Sequence, residues 1–173
     1  GPCTEIHIDR GSVCCDKSHI LGHVCQVNGD CGRYIEIWNL VFMQFNRQED
    51  QSLVSLPAKH VDTGMGFERI VSVLQNKHSN YETDIFTPII KELEKITGKI
   101  YKNTNSPQDV SFRVISDHIR ALSSTFADGA LPGNVGRGYV LRRILRRAAR
   151  FGRQYLGMEE PFIYRLVPVV AQM

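Results

Sequence analysis

The chain has 173 residues, 42% of them hydrophobic, and its 21 Lys+Arg against 18 Asp+Glu give a formal net charge of +3. That length suits one ordinary domain or two small ones, and the apolar content suffices for a core, which excludes a disordered chain. No stretch approaches the roughly 20 apolar residues of a membrane-spanning helix, and residues 1–20 lack the charged-then-apolar order of a signal peptide. A soluble protein with no membrane partner is expected, in the cytoplasm or an organelle.

The charge is local. Between Arg137 and Arg153 stand seven arginines and no acid, so the rest of the chain is net acidic. All five cysteines (Cys3, Cys14, Cys15, Cys25, Cys31) fall within the first 31 residues. An odd number without a secretory signal argues for a reducing compartment and free thiols. The chain opens on Gly1-Pro2-Cys3 without an initiator methionine and stops at Met173 inside an apolar helical pattern, so it reads as an excised piece of something longer.

In chain order, residues 4–9 and 34–46 are rich in β-branched and aromatic side chains and read as strands, with a Gly- and Cys-containing loop between them. Alternation puts Ile37, Asn39, Val41, Met43 and Phe45 on one face of the second strand and Trp38, Leu40, Phe42 and Gln44 on the other. With both faces largely apolar, this strand is expected to be central and buried, its amides needing partners or facing a ligand pocket. Residues 47–57 read as a hairpin connection or loop closed by Pro57, Ala58 to Asp62 as a short strand, and Thr63-Gly64-Met65-Gly66 as a break before a helix carrying Phe67, Ile70, Val71 and Leu74. After Lys77 the period turns helical: Asp84 to Thr97 ended by Gly98, a helix from Ser106-Pro107 towards Asp128-Gly129, one from about Gly138, and a fifth after Glu159-Glu160-Pro161. The expected class is α+β: a β-rich front over 1–77 and an all-α helical back over 78–173.

Three groups of residues point to chemistry. Asp62-Thr63-Gly64-Met65-Gly66-Phe67-Glu68-Arg69 places two glycines between strand and helix, with Arg69 as a fork for phosphate oxygens in the first helical turn. A purely structural turn with an ion pair through Glu68 fits the spacing equally. On the arginine helix, Val140, Leu141, Ile144, Leu145 and Ala148 form an apolar stripe, while Arg142, Arg146, Arg150 and Arg153 line another face with Arg143 and Arg147 beside them. Like charges at this spacing repel, so a polyanion is favoured over solvent as their partner, nucleic acid ahead of membrane. The third group is Cys14, Cys15, His19, His23, Cys25 and Cys31. These are zinc-type ligands, but their spacings match no paired Cys-x-x-Cys site, and free cysteines in a surface insertion are the favoured reading.

Four blocks, Gly1 to Ile6, Glu36 to Asn46, Val61 to Arg69 and Gly136 to Ala148, together resemble the alanyl-tRNA synthetases, a family of class II aminoacyl-tRNA synthetases. They occur in that family's order and cover nearly the whole chain. The resemblance implies an alanine–tRNA ligase that uses ATP and Mg2+ to make an alanyl-adenylate. Residues 1–77 would be the C-terminal half of the aminoacylation domain, built on an antiparallel sheet. Asp62 would hold the alanine ammonium, Asn39 and Val41 with Gly64 would line the pocket, and Gly64, Gly66 and Arg69 would serve ATP. Residues 78–173 would begin the helical tRNA-recognition domain. Asn134 would read the wobble pair of the acceptor stem, and Arg137, Arg142, Arg143, Arg146, Arg147 and Arg150 would attract its phosphates.

The first two class II motifs and the editing domain, where the family's zinc belongs, fall outside the chain. The fragment alone is therefore expected to be inactive, and Cys14, Cys15, Cys25 and Cys31 are weak metal candidates with no role from the family. The alternative is a non-catalytic acceptor-stem-binding relative. The oligomeric state stays open.

Overall fold

A computed structural model describes residues 1–173, which form two compact units, Gly1–Asn80 and Tyr81–Met173. The class is α+β, with one three-stranded antiparallel sheet and five α-helices. No helix is long and apolar enough to cross a membrane.

The first unit holds β1 (Cys3–Asp9), β2 (Tyr34–Arg47), β3 (Leu53–Met65) and α1 (Phe67–Leu74), with the sheet in the order β1-β2-β3. The β-branched and aromatic residues of β2 take the central place expected of them. The expected burial does not follow: Ile37 is 7% exposed, but Met43 and Phe45 are 38% and 48% exposed. Three strands and an eight-residue helix, which packs on β2, have too little apolar area to cover two sheet faces.

β2 and β3 are joined by a hairpin connection, as expected, but β3 starts within the expected 47–57 and continues through 63–65, which corrects the reading of 63–66 as a break. It runs for 13 residues, and the connection from β2 shrinks to a tight turn in which Gln48 N–H donates to the Ser52 carbonyl at 2.9 Å. Pro57 is tolerated because β3 lies at the edge of the sheet and the register slips around it. Met43 faces His60 whereas Phe45 faces Ser55, leaving 56–59 as a bulge opposite Gln44. Gly64 continues the ladder opposite Asn39. Gly66 closes it, its N–H donating to the Ile37 carbonyl at 3.0 Å while its own carbonyl accepts the first α1 bond from Ile70 at 2.9 Å.

The second unit is built from α2 (Thr87–Thr97), α3 (Pro107–Ala127), α4 (Gly136–Leu156) and a 3-10 turn at Ile163–Leu166 that leads into α5 (Val167–Ala171). Helix α2 starts three residues after the expected Asp84, because Pro88 has no N–H to donate to the Asp84 carbonyl. Gly98 ends it at φ +67°, a left-handed cap that glycine adopts without strain. At the start of α3 the Ser106 hydroxyl accepts from Asp109 N–H at 3.2 Å. Asp109 itself is buried. Burial pushes its carboxyl up, but the Thr104 hydroxyl and the N–H groups of Thr104 and Lys102 overcome that and hold it below the usual carboxylate range.

The core of this unit gathers Phe86, Ile89, Leu93, Phe112, Ile115 and Leu166, all at most 2% exposed, around the inner face of α3. The buried stripe of α4 is Leu141, Ala148, Gly152 and Leu156; of the expected stripe Leu141 and Ala148 are buried and Ile144 and Leu145 half-buried, whereas Val140 is 53% exposed. Gly152 lies against the Phe162 ring so closely that a Cβ there would sit 2.2 Å from its tip. The expected fifth helix is only a single turn plus five residues.

Candidate functional site

Strand pairing brings the expected amino-acid residues into two adjoining rows. Cys3, Val41 and Asp62 stand opposite one another across the three strands, as do Glu5, Asn39 and Gly64. Directly opposed residues project from the same sheet face, with Cβ atoms about 4.5–5.5 Å apart, so Asn39, Val41, Asp62 and Gly64 share a face. A Cβ added at Gly64 would meet nothing within 4 Å, which leaves open space above the strand. Asp62 is exposed, and its Oδ1 accepts from Thr63 N–H at 3.0 Å.

Glu5 joins this face and was missed in the sequence, where it is one acid in an otherwise ordinary strand. Its Oε1 accepts from Asn39 Nδ2 at 3.1 Å, its Oε2 accepts from Asn28 Nδ2 at 3.1 Å, and His7 Nε2 lies 3.0 Å from Oε2. The bond to His7 above all, then that to Asn28, holds the Glu5 carboxyl below its usual range. The face thus offers two carboxylates and a fixed amide, a surface suited to an ammonium group.

The glycine turn behaves differently at its two glycines. Gly66 is pressed by the Arg69 stem, with Cδ 3.0 Å from the place of a Cβ, so it is glycine for the side chain beside it and leaves no free room for a ligand. Arg69 Nη1 donates to the Glu36 carbonyl at 2.8 Å and lies 3.6 Å from the Glu36 carboxylate. The Arg69 side chain is 47% exposed, with its other guanidinium nitrogens not engaged in these contacts.

On α4 all seven arginines from Arg137 to Arg153 are exposed, and none is paired with an acid. Arg143, Arg146, Arg147 and Arg150 line one groove of about 710 Å³ with His118 of α3, Val140, Ile144 and Phe151. His118 was also missed: its Nδ1 lies 2.9 Å from Asp117 Oδ2, and its buried Nε2 has no partner. Cation–π contacts steady two of the arginines, Arg143 over Tyr139 and Arg147 over Phe151. Arg142 instead turns to Asn134, whose side-chain oxygen accepts from its Nη1. The loop carrying Asn134 is seated on α4 by Gly133 N–H donating to the Gly138 carbonyl at 2.8 Å. Any Cβ on Gly138 would strike that loop's backbone at 2.9 Å.

The cysteine group is partly regrouped. Cys15, Cys25 and Cys31 converge, but Cys14 turns away, with its Sγ 3.0 Å from His78 Nδ1, and His23 takes its place in the cluster. His19 is exposed and outside it.

A family model for class II (A) tRNA synthetases matches residues 1–173. The chain is 54% identical over 171 residues to the alanine–tRNA ligase of Christiangramia forsetii, a match taking in 99% of this chain and 19% of that protein. Its identity to the alanine–tRNA ligase of Staphylococcus aureus (strain JH9) is 53% over 173 residues, or 100% of this chain and again 19% of the relative. The chain thus spans about a fifth of the length of these relatives. The match runs through both units without a break, so residues 78–173 lie, like the sheet unit, within the region that the synthetase model describes. On that unbroken match the chain belongs to the class II (A) tRNA synthetase family.

Proposed function

We propose that this chain is part of an alanine–tRNA ligase and supplies the floor of its alanine pocket and an RNA-facing helix. The observation that carries the reading is the pair of adjoining rows placing Asn39, Val41, Asp62 and Gly64 on one sheet face. Asp62 takes the ammonium, Asn39, held by Glu5, presents a fixed amide, and the β-branched Val41 limits the side-chain space to about a methyl group. Losing that methyl is worth only about 1–3 kcal/mol, so glycine is rejected poorly by such a pocket and needs editing elsewhere in the protein.

Arg69 and the open space at Gly64 are the features that fit ATP: a half-exposed arginine side chain offers its remaining N–H groups to phosphate oxygens. Mg2+ accompanying the ATP would supply charge neutralisation on the phosphates. In the whole enzyme the alanine carboxylate attacks the α-phosphate and pyrophosphate leaves. The terminal ribose hydroxyl of tRNA then takes the alanyl group and releases AMP. The residues described here contribute position and charge to those steps, and none acts as a covalent nucleophile.

The arginine groove is proposed to attract the phosphates of the acceptor stem, with Asn134 beside it reading the wobble pair. Contacts of the first kind position the RNA, and those of the second kind specify it. Arg142 fixes the Asn134 side-chain oxygen, which leaves the amide N–H groups free to donate.

Amino-acid-dependent ATP–pyrophosphate exchange by the intact parent, with alanine beside glycine and serine, tests the reading. Alanine-selective exchange is expected. Asp62→Ala is expected to cut it at least about thirtyfold, which corresponds to the roughly 2 kcal/mol lower bound for truncating one partner of a charge pair that is desolvated once alanine is bound in the whole enzyme. Absence of exchange with any amino acid would leave an RNA-binding relative without the chemistry and overturn the proposal.

A further inference from the structure

The loop between β1 and β2 has almost no apolar interior. Its aliphatic side chains point outward: Leu21 is fully exposed, and Val13 and Val24 are 77% and 73% exposed. At its centre lie a buried thiol, Cys15, and around it His23, Cys25 and Cys31. One ligand atom from each of these four lies within 4.8 Å of every other. All the cysteines are free thiols, so no disulfide holds the group together.

We infer that Cys15, His23, Cys25 and Cys31 form a structural zinc site that folds this loop. Four soft and borderline donors match the tetrahedral preference of Zn2+. With zinc–sulfur bonds of about 2.3 Å the tetrahedron has edges of about 3.8 Å, so the four donors need to close in by at most about an ångström. Binding converts the three thiols to thiolates and releases their protons to solvent. Four protein ligands leave no open position, which makes the site structural and not catalytic.

The surroundings are those of a metal-bound histidine. His23 Nε2 faces the cluster, 3.6 Å from Cys25 Sγ, while His23 Nδ1 lies 3.8 Å from Asp30 Oδ1. That distance is longer than a hydrogen bond, but a carboxylate on this side of the ring favours the tautomer that leaves Nε2 free to ligate. Asp30 is in turn held by Lys17 Nζ at 2.6 Å. Three thiolates on one Zn2+ carry a net negative charge, and Lys17 offsets it.

The ends of the loop are stitched independently of the metal. Asp9 and Arg33 form a two-bonded fork at 2.8 and 2.7 Å, and Asp16 accepts from Gly32 N–H at 2.9 Å. A metal completes what these bonds begin. It also fixes Asn28, which lies between Cys25 and Cys31 in sequence and donates to Glu5 beside Asn39.

Elemental analysis of the 173-residue chain, expressed with zinc in the medium and purified without chelator, is expected to give about one zinc per chain. His23→Ala and Cys25→Ser should lose it, whereas Cys14→Ser and Cys3→Ser should keep it. Asp30→Ala should retain the site but weaken affinity roughly 10–100-fold. Because a ligand variant can also fail to fold, the unsubstituted chain provides a second readout. With zinc bound, a thiol reagent should reach Cys3 and Cys14 quickly and Cys15, Cys25 and Cys31 only after chelation. Cobalt substitution should give thiolate charge-transfer absorption and the visible bands of a tetrahedral site. Equal reactivity of all five thiols with and without chelator, a disulfide among Cys15, Cys25 and Cys31, or iron in place of zinc would overturn the inference.

Discussion

The two units reach order by different means. In Tyr81–Met173 a contiguous set of fully buried side chains, Phe86, Ile89, Leu93, Phe112, Ile115 and Leu166, holds the helices together. In Gly1–Asn80 only Ile37 and Cys15 are buried among the hydrophobic residues, and order comes from ladder hydrogen bonds, ion pairs and the Cys/His cluster. The contrast teaches where each unit tolerates change: the helical unit is sensitive to volume, the sheet unit to polar partners.

Core truncation tests this most strongly. Phe112→Ala should cost about 3–5 kcal/mol in urea unfolding followed by helix signal. Met43→Ala on the half-open sheet should cost under about 1 kcal/mol, and equal losses would break the contrast. Next come the glycines. Gly152→Ala drives a methyl into the Phe162 ring and should cost about 1–3 kcal/mol in thermal unfolding. Gly64→Ala enters open space and should leave stability within about 0.5 kcal/mol, while raising the KM for alanine in the intact parent.

Acid titration separates the units by their carboxylates. The Arg33 fork, then the Gly11 N–H, holds Asp9 at about 2 against an ordinary 3.8. A depressed folded value means that stability is present above the ordinary value and is lost as pH falls from about 4 towards 2. Asp109 is shifted in the same direction. Asp9→Asn should flatten the acid slope for the sheet unit alone and Asp109→Asn that for the helical unit alone, as read by residue-resolved NMR. An effect of either on both units would dissolve the distinction. The smallest effect is expected on α4, where Arg142, Arg146 and Arg150 repel at four-residue spacing. Arg146→Gln should raise stability by about 0.2–0.5 kcal/mol while weakening binding to all RNA stems alike.

Much of the secondary structure was legible because it rests on local signals: the β-branched run of β2, Ser106-Pro107 opening α3, Gly98 closing α2. The length of β3 was hidden, since Pro57 and Gly64 normally mark turns and only pairing with β2 overrides them. The shallow burial of β2 was hidden too, because apolar alternation states which side chains seek cover but not whether cover is supplied. At the site, Asn39, Val41 and Asp62 could be singled out, but their sharing of one face with Glu5 depends on a register that no single strand encodes. His23 was grouped with the cysteines, but that it joins Cys15, Cys25 and Cys31 while Cys14 and His19 do not is a matter of loop path, to which spacing is no guide.

The bulge around Pro57 has a consequence for how the protein behaves in a crowded solution. β3 is a long edge strand, and an unbroken edge invites a second chain to add to the sheet. A residue with no N–H, a kink of four residues and the charge of Lys59 within it interrupt that template halfway along. The same irregularity that conceals the strand in the sequence therefore guards the sheet against self-association.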